Sequence, residues 1–319
     1  MFWKRQGGDY IAVQFPYALC TKYDIASKDG DEGMIAVEFE ACQPNNAAPS
    51  TTPPYTVITL PPETQVPDPG DNPSDLPQDE DLGNLILDLN AITLAGTLGD
   101  SDPVTSWTDD TGITGNGTPY AGLQSAPTFH TSGFGGGAMP RVAVAGTAGV
   151  ETPIPWPTSS TYYFVVDVAS GGGTQGDGGQ ALNAYIMATA GTNNNNGWVS
   201  VRGDGKLQVG INGGSFGWPS KVGSTDITDG PHIVTLSWNA TIFQFDVYVD
   251  AVLDATLSGN ALIANSWAGL PRMYFGGVDT PGVAHLTGDI GRVVAYDKAH
   301  SAGNVATVVG VLSGIWGTP

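Results

Sequence analysis

The stretch GDIGRVVAYDK, residues 288–298, decides the fold. Ile290, Arg292, Val294 and Tyr296 fall on one side of it, with Gly291, Val293 and Ala295 on the other. That period-two alternation predicts a β-strand. The following stretch, HSAGNVATVVGVLSGIWG (300–317), changes period. Val305, Val308, Val309 and Leu312 stand at i, i+3, i+4 and i+7 and make one apolar helical stripe. Ser301 is placed to cap the start of that helix and Gly314 to stop it. A late strand feeding a lone terminal helix is thus the first architectural clue.

Working outward, the 319 residues include 45 Gly and 23 Pro, with plentiful β-branched and aromatic residues and almost no long helical pattern. This reads as an all-β chain with many turns. The formal net charge is -20, and neither Lys nor Arg occurs between Lys28 and Arg141. Nucleic-acid affinity comes largely from Lys and Arg neutralising phosphates, so a nucleic-acid partner is excluded. Anionic membrane surfaces are disfavoured for the same reason, and no stretch is long and apolar enough for membrane insertion. The N-terminal MFWKRQGGDYIAVQFPYALC carries Lys4 and Arg5, but Gly7, Gly8 and Asp9 interrupt, and Gln14 and Pro16 spoil the apolar run. It is a poor signal-peptide core, so export by the usual route is not expected unless the true start lies upstream. Cys20 and Cys42, the two cysteines, read equally well as a disulfide or as two free thiols.

Three segments follow from these patterns. Residues 1–43 hold two strand patterns, DYIAVQF and MIAVEFEA, separated by the turn-forming SKDGDEG. So small a β element buries little core, and it either packs on the larger domain or completes its sheet against another subunit. Residues 44–82 form an acidic linker with ten prolines, extended and semi-rigid, with YTVITL as a short strand in its middle. Residues 83–319 are one strand-rich unit, its strands separated by turn signals such as GDG at 203–205 and DG at 229–230.

Within that unit, ITDGPHIVTLSWN, FDVYVDAVL, RMYFGG and LTGDIGRVVAYDKAHS, closing on VLSGIWG, occur in the order seen in concanavalin A-like (LamG-type) jelly-roll domains, which the chain resembles over residues 150–317 and more loosely over 84–150. The resemblance implies a jelly-roll sandwich in which the last strand returns to the sheet and a short helix seals it. It also implies carbohydrate binding or adhesion, in some members with calcium, in others with glycoside hydrolysis. Such domains are frequent in bacterial surface proteins and phage virions. GGDYIAVQFPYALCTKYD and DGDEGMIAVEFEA are similar in style to the closing strands of phage tail-tube-like proteins. That implies a virion component, anchored to other virion subunits through residues 1–43 and present in many copies or as a homo-oligomer. The alternative is a surface-bound or secreted lectin.

For catalysis, glucanases of this architecture pair two glutamates on one strand, yet no glutamate follows Glu151. Asp246 and Asp250 in FQFDVYVD would lie roughly 13 Å apart on a strand, whereas a retaining pair needs about 5–5.5 Å. A non-enzymatic protein is expected. Ser215 in GGSFG matches a nucleophile elbow only formally, because Pro219 and Gly223 argue against the helix such an elbow needs. RGD at 202–204 reads as a tight turn rather than an adhesion tripeptide. The glycine runs 133–137 and 171–173 precede no Lys-bearing helix and are not phosphate loops. Four scattered histidines argue against zinc. Calcium wants clustered oxygens, and the candidates are Asp100, Asp102, Asp109 and Asp110, with a solvated acidic loop as the plainer reading. Asp289 reads as a structural hydrogen-bonder.

Sugar rings have an apolar face and a polar rim, so a glycan site wants exposed aromatics beside amides and carboxylates. Trp198, Trp218 and Trp267, with Asn194 and Asn195, meet that description. Trp238 and Trp316 read as packing residues. The expectation is a displayed jelly roll that binds a host-surface glycan.

Overall fold

The computed structural model describes residues 76–119, 125–144, 148–153, 159–170, 184–190, 197–211, 220–258, 272–275 and 286–319, and the backbone of five strands nearer the N-terminus. The chain divides into two units, Met1–Gln65 and Val66–Pro319. In the first, β1 (Phe2–Lys4), β2 (Tyr10–Gln14) and β5 (Thr56–Leu60) form one antiparallel sheet, while β3 (Ala18–Ala26) and β4 (Met34–Ala41) pair as a ribbon. The strand inside the Pro-rich stretch therefore belongs to the N-terminal unit, with Thr56 opposite Gln14 and Leu60 opposite Tyr10. Cys20 lies on β3 opposite Phe39; Cys42 is outside the described residues.

The second unit begins with β6 (Leu85–Asn90), the one-turn α1 (Ala91–Leu94), β7 (Thr118–Pro119), β8 (Thr128–His130), β9 (Arg141–Val144) and β10 (Val150–Thr152). It continues with β11 (Ser160–Ser170), β12 (Ala184–Ala190), β13 (Gly197–Val201), β14 (Lys206–Ile211) and β15 (Ser220–Asp226). Then come β16 (Pro231–Asn239), β17 (Gln244–Val249), β18 (Val252–Ser258), β19 (Arg272–Phe275), β20 (Thr287–Tyr296) and α2 (Ala302–Trp316). Among the described residues these strands make two antiparallel sheets. A seven-stranded sheet runs β15-β14-β13-β12-β19-β10-β7. An eight-stranded sheet runs β18-β17-β16-β11-β20-β9-β8, with β6 also paired to β20. The core lies between them: Val150, Ile186, Val199, Val201, Leu207, Val209 and Phe275 from the first sheet meet Leu89, Phe164, Val166 and Val293 from the second. Phe164 and Phe275 make one such contact, with ring centroids 5.8 Å apart.

The closing strand forms as its alternation requires, but with one irregularity. Val165 of β11 opposes Arg292 and Val166 opposes Ile290, so Gly291 is an extra residue, a β-bulge. The bulge puts Ile290 and Arg292 on opposite faces, against the simple period-two expectation. Gly291 faces α2, where a Cβ would come within 2.6 Å of the Trp316 ring. The helix is capped by Ser301, whose hydroxyl accepts the Asn304 N–H, and buries Val305, Val308, Val309, Leu312 and Trp316. It runs through Gly314 and ends at Gly317, which takes the left-handed φ of 66° that such an end favours.

Residues 76–82, read in sequence as the tail of the spacer, are part of this second unit. Leu76 and Leu82 are each 2% exposed. Four side chains from the chain's end donate to carbonyls of this strap: Tyr296 to Pro77 (3.0 Å), Lys298 to Glu80 (2.7 Å), His300 to Leu82 (2.8 Å) and Asn304 to Asp81 (3.0 Å). The other ring nitrogen of His300 accepts the Tyr163 hydroxyl at 2.6 Å. Burial pushes the His300 pKa down, which favours the neutral ring that this donor–acceptor pattern uses.

At the β17–β18 hairpin both turn residues are left-handed, Asp250 at φ 49° and Ala251 at φ 65°. A type I′ turn demands this, and glycine meets the demand better than alanine. Ala251→Gly is expected to raise the unfolding free energy by about 0.5–1 kcal/mol, read as a higher urea midpoint at unchanged slope.

Candidate functional site

The seven-stranded sheet places chemistry on the face turned away from the core. Along β13 and β14 the apolar residues Val199, Val201, Leu207 and Val209 point inward. Trp198, Ser200, Lys206, Gln208 and Gly210 occupy the alternate positions and the outer face. One line of register crosses the sheet: Thr118, Glu151, Tyr274, Ala188, Trp198, Gly210 and Ser220 are successive cross-strand partners. Gln208 donates to the Ser220 hydroxyl at 3.0 Å. Glu151, Lys206 and Gln208 are half-buried and Thr118 is exposed.

Trp198 stands fifth of the seven on this line, yet it is 5% exposed. Its indole lies over Gly210, where a Cβ would fall 2.1 Å from the ring. The indole thus packs against the backbone of β14 and does not present the open stacking face expected of it. Trp218, Trp267, Asn194 and Asn195 lie outside the described residues. The strand ends that flank them are described: Ala190 pairs with Arg272, Gly197 with Ile211 and Gly210 with Ser220. All six stand at one end of the sheet. Sequence reasoning missed Glu151, Ser200 and Gln208. The polar residues alternating with valines in WVSV and KLQV were the available signal for the last two.

The acidic residues considered for calcium are not gathered into a site. Asp109, 4% exposed, accepts from the N–H groups of Asp88, Thr111, Thr114 and Gly115 and from the Thr111 hydroxyl. Its carboxylate is spent on its own loop. Asp110 is half-buried, and desolvation, aided by the charge on Asp88, pushes its pKa up to about 6. Asp100 accepts from the Thr131 N–H and contacts His130 at 3.2 Å; the backbone bond leads in holding its pKa below the ordinary value. Asp102 accepts the Gly99 N–H at 2.8 Å. Among the described residues no group of three or more His, Cys, Asp or Glu side chains is placed to hold a metal ion.

Other sequence candidates resolve into structure. The strand β17 ends at Val249, so Asp250 is a turn residue and does not share a strand face with Asp246. Asp246 accepts from Gln244 and Thr256, and Asp250 from the Ile233 N–H. The 202–206 segment is the β13–β14 turn, with Arg202 3.3 Å from Asp204. The 133–137 glycines form a tight turn in which Gly135 donates to Asp167. Asp289 is held by Arg141, with both oxygens 2.6 Å from Nη1. Trp238 and Trp316 are packing residues, at 4% exposure each. Ser215 and the 171–173 run are outside the described residues.

No protein-family model and no curated protein matches the chain. Among solved structures, domain 4 of AbnA, a GH43 extracellular arabinanase from Geobacillus stearothermophilus, is similar with a TM-score of 0.51 at 15% identity, over 71% of this chain and 98% of that one. The binding domain of botulinum neurotoxin serotype G gives a TM-score of 0.51 at 14% identity, over 74% of this chain and 54% of that one. The CBM40 of a Ruminococcus gnavus sialidase gives 0.39 at 17% identity, over 48% and 83%. At such identities the likeness is one of fold. The second unit is an antiparallel jelly-roll sandwich of the concanavalin A-like kind, closed by a C-terminal helix.

Proposed function

We propose that this chain is a non-catalytic glycan-binding protein, a lectin-like module carried on a surface or released, whose ligand lies on the outer face of the seven-stranded sheet. The observation that carries the reading is the outer-face register line on which Thr118 is exposed and Glu151 half-buried, with half-buried Lys206 and Gln208 on the same face. At one end of it stand the strand ends that border Asn194, Asn195, Trp218 and Trp267. Amide, hydroxyl and carboxylate groups beside indoles are what a sugar's polar rim and apolar face require. The arabinanase domain was solved with arabinotriose, a ligand of the class proposed here. The lack of glutamate after Glu151 and the separate structural duties of Asp246 and Asp250 support the non-catalytic reading.

The unit Met1–Gln65 is proposed as the attachment element, through which copies assemble on a cell surface or a phage particle. The likeness of its strands to tail-tube-like proteins supports the particle. A glycan array probed with the full chain, once with calcium and once with a chelator, tests the reading. Binding to a defined glycan class is expected, with the glycan recovered uncleaved. Trp218→Ala and Trp267→Ala should each weaken it about tenfold or more, equivalent to about 1.4 kcal/mol. A blank array in both conditions, or release of reducing ends, would sink it.

A further inference from the structure

We infer that His232 is a pH-sensitive clasp that binds the crossover between the two sheets to the β17–β18 turn. Its Nδ1 lies 2.6 Å from Oδ2 of Asp250, in that turn, and its Nε2 lies 2.8 Å from Oδ1 of Asp229, in the crossover from β15 to β16. Both ring nitrogens therefore face carboxylate oxygens. Only the imidazolium donates on both sides; the neutral ring has one N–H and would turn a lone pair toward the other acid. The second oxygen of Asp250 accepts the Ile233 N–H at 2.8 Å, so that acid cannot swing away without losing a backbone bond.

The surrounding charges favour the proton. At the end of β15, Asp226 is the next acid, and its partner across the strands is Lys206 of β14. On β11, Asp167 stands opposite Pro231 and accepts the Gly135 N–H. The hydrogen bond to Asp250, opposed by burial and helped by Asp229, raises the His232 pKa above its ordinary value. The crossover also supports the β13–β14 turn. Ile227 donates to the Gly205 carbonyl at 3.0 Å, and the Asp226 carboxylate fills the space a Gly205 Cβ would need. The clasp thus steadies the hairpin that carries Trp198 and Gln208, and it does not depend on what that face binds.

A raised folded-state pKa means that the clasp's contribution is complete below the ordinary histidine pKa of about 6.5. It is lost as pH rises through the folded value. Asp110, pushed up to about 6, and His300, pushed down, act mainly below that window. Thermal unfolding of the full chain between pH 6.5 and 9, set against that of His232→Gln, therefore separates the His232 contribution from those of Cys20, Cys42 and the other histidines. Across this range the melting temperature should fall by about 2–4 °C more in the unaltered chain than in His232→Gln. Histidine-ring NMR should give a titration midpoint above 6.5 for this ring, moved down in Asp229→Asn, whose altered side chain is exposed at the surface. A midpoint at or below the ordinary value, or one unmoved by Asp229→Asn, would overturn the clasp. So would a pH dependence that is the same in His232→Gln as in the unaltered chain.

Discussion

Asp88→Ala is expected to lower the unfolding free energy of the second unit by about 3–5 kcal/mol. Arg292 of the closing strand is 1% exposed and Asp88 of β6 is fully buried. Two parallel bonds join them, Nε to Oδ1 at 2.7 Å and Nη2 to Oδ2 at 2.5 Å. Removing the carboxylate strands a buried guanidinium without its counter-charge, and that unpaired charge is the source of the penalty. Asp109 is no substitute, being saturated by its own loop, and desolvation works against charge on Asp110. Replacing both partners by apolar residues, Asp88→Leu with Arg292→Met, removes the charge as well as the pair. The double variant should therefore recover most of the loss. Urea unfolding followed by circular dichroism reads both effects. A single substitution costing under about 1 kcal/mol would show that the pair is solvated rather than buried.

The second large effect is expected at the strap. Leu76→Ala and Leu82→Ala should each cost about 2–5 kcal/mol, because each side chain is almost wholly buried. A chain begun at residue 83 should lose both, and it would leave the donors of Tyr296, Lys298, His300 and Asn304 without their carbonyls. Of these, His300 and Tyr296 matter most, since both are buried and an unmet buried donor carries a desolvation cost. A chain begun at residue 66 should keep the full stability of the second unit. Equal urea midpoints for chains begun at 66 and at 83 would reduce the strap to a surface contact.

How far the fold was legible depended on whether the deciding interaction was local. The alternation of residues 288–298 and the 305/308/309/312 stripe are local patterns, and both elements formed where they were read. The bulge at Gly291 was not readable, because it is a matter of pairing with β11, and the side-chain space of Gly291 is taken by Trp316 from another element. Gly314 and Gly317 look alike in sequence, and only the left-handed backbone at Gly317 marks the helix end. Residues 76–82 carry the acidic, Pro-containing composition of a spacer. Their burial depends on apolar Leu76 and Leu82 meeting a surface supplied by the far end of the chain. At the candidate site, the polar–apolar alternation of β13 and β14 is a local signal for the outer face, and Ser200 and Gln208 were missed although it was there to read. That the Trp198 indole covers Gly210 depends on a cross-strand pairing between those strands.

The central claim is that the outer face of the seven-stranded sheet holds the ligand. Hydrogen-exchange mass spectrometry of the full chain, with and without a glycan that it binds on the array, tests this most directly. Protection is predicted in peptides covering residues 148–153 and 197–211, with no change over 231–258 in the opposite sheet. Protection confined to the eight-stranded sheet or to Met1–Gln65 would contradict it.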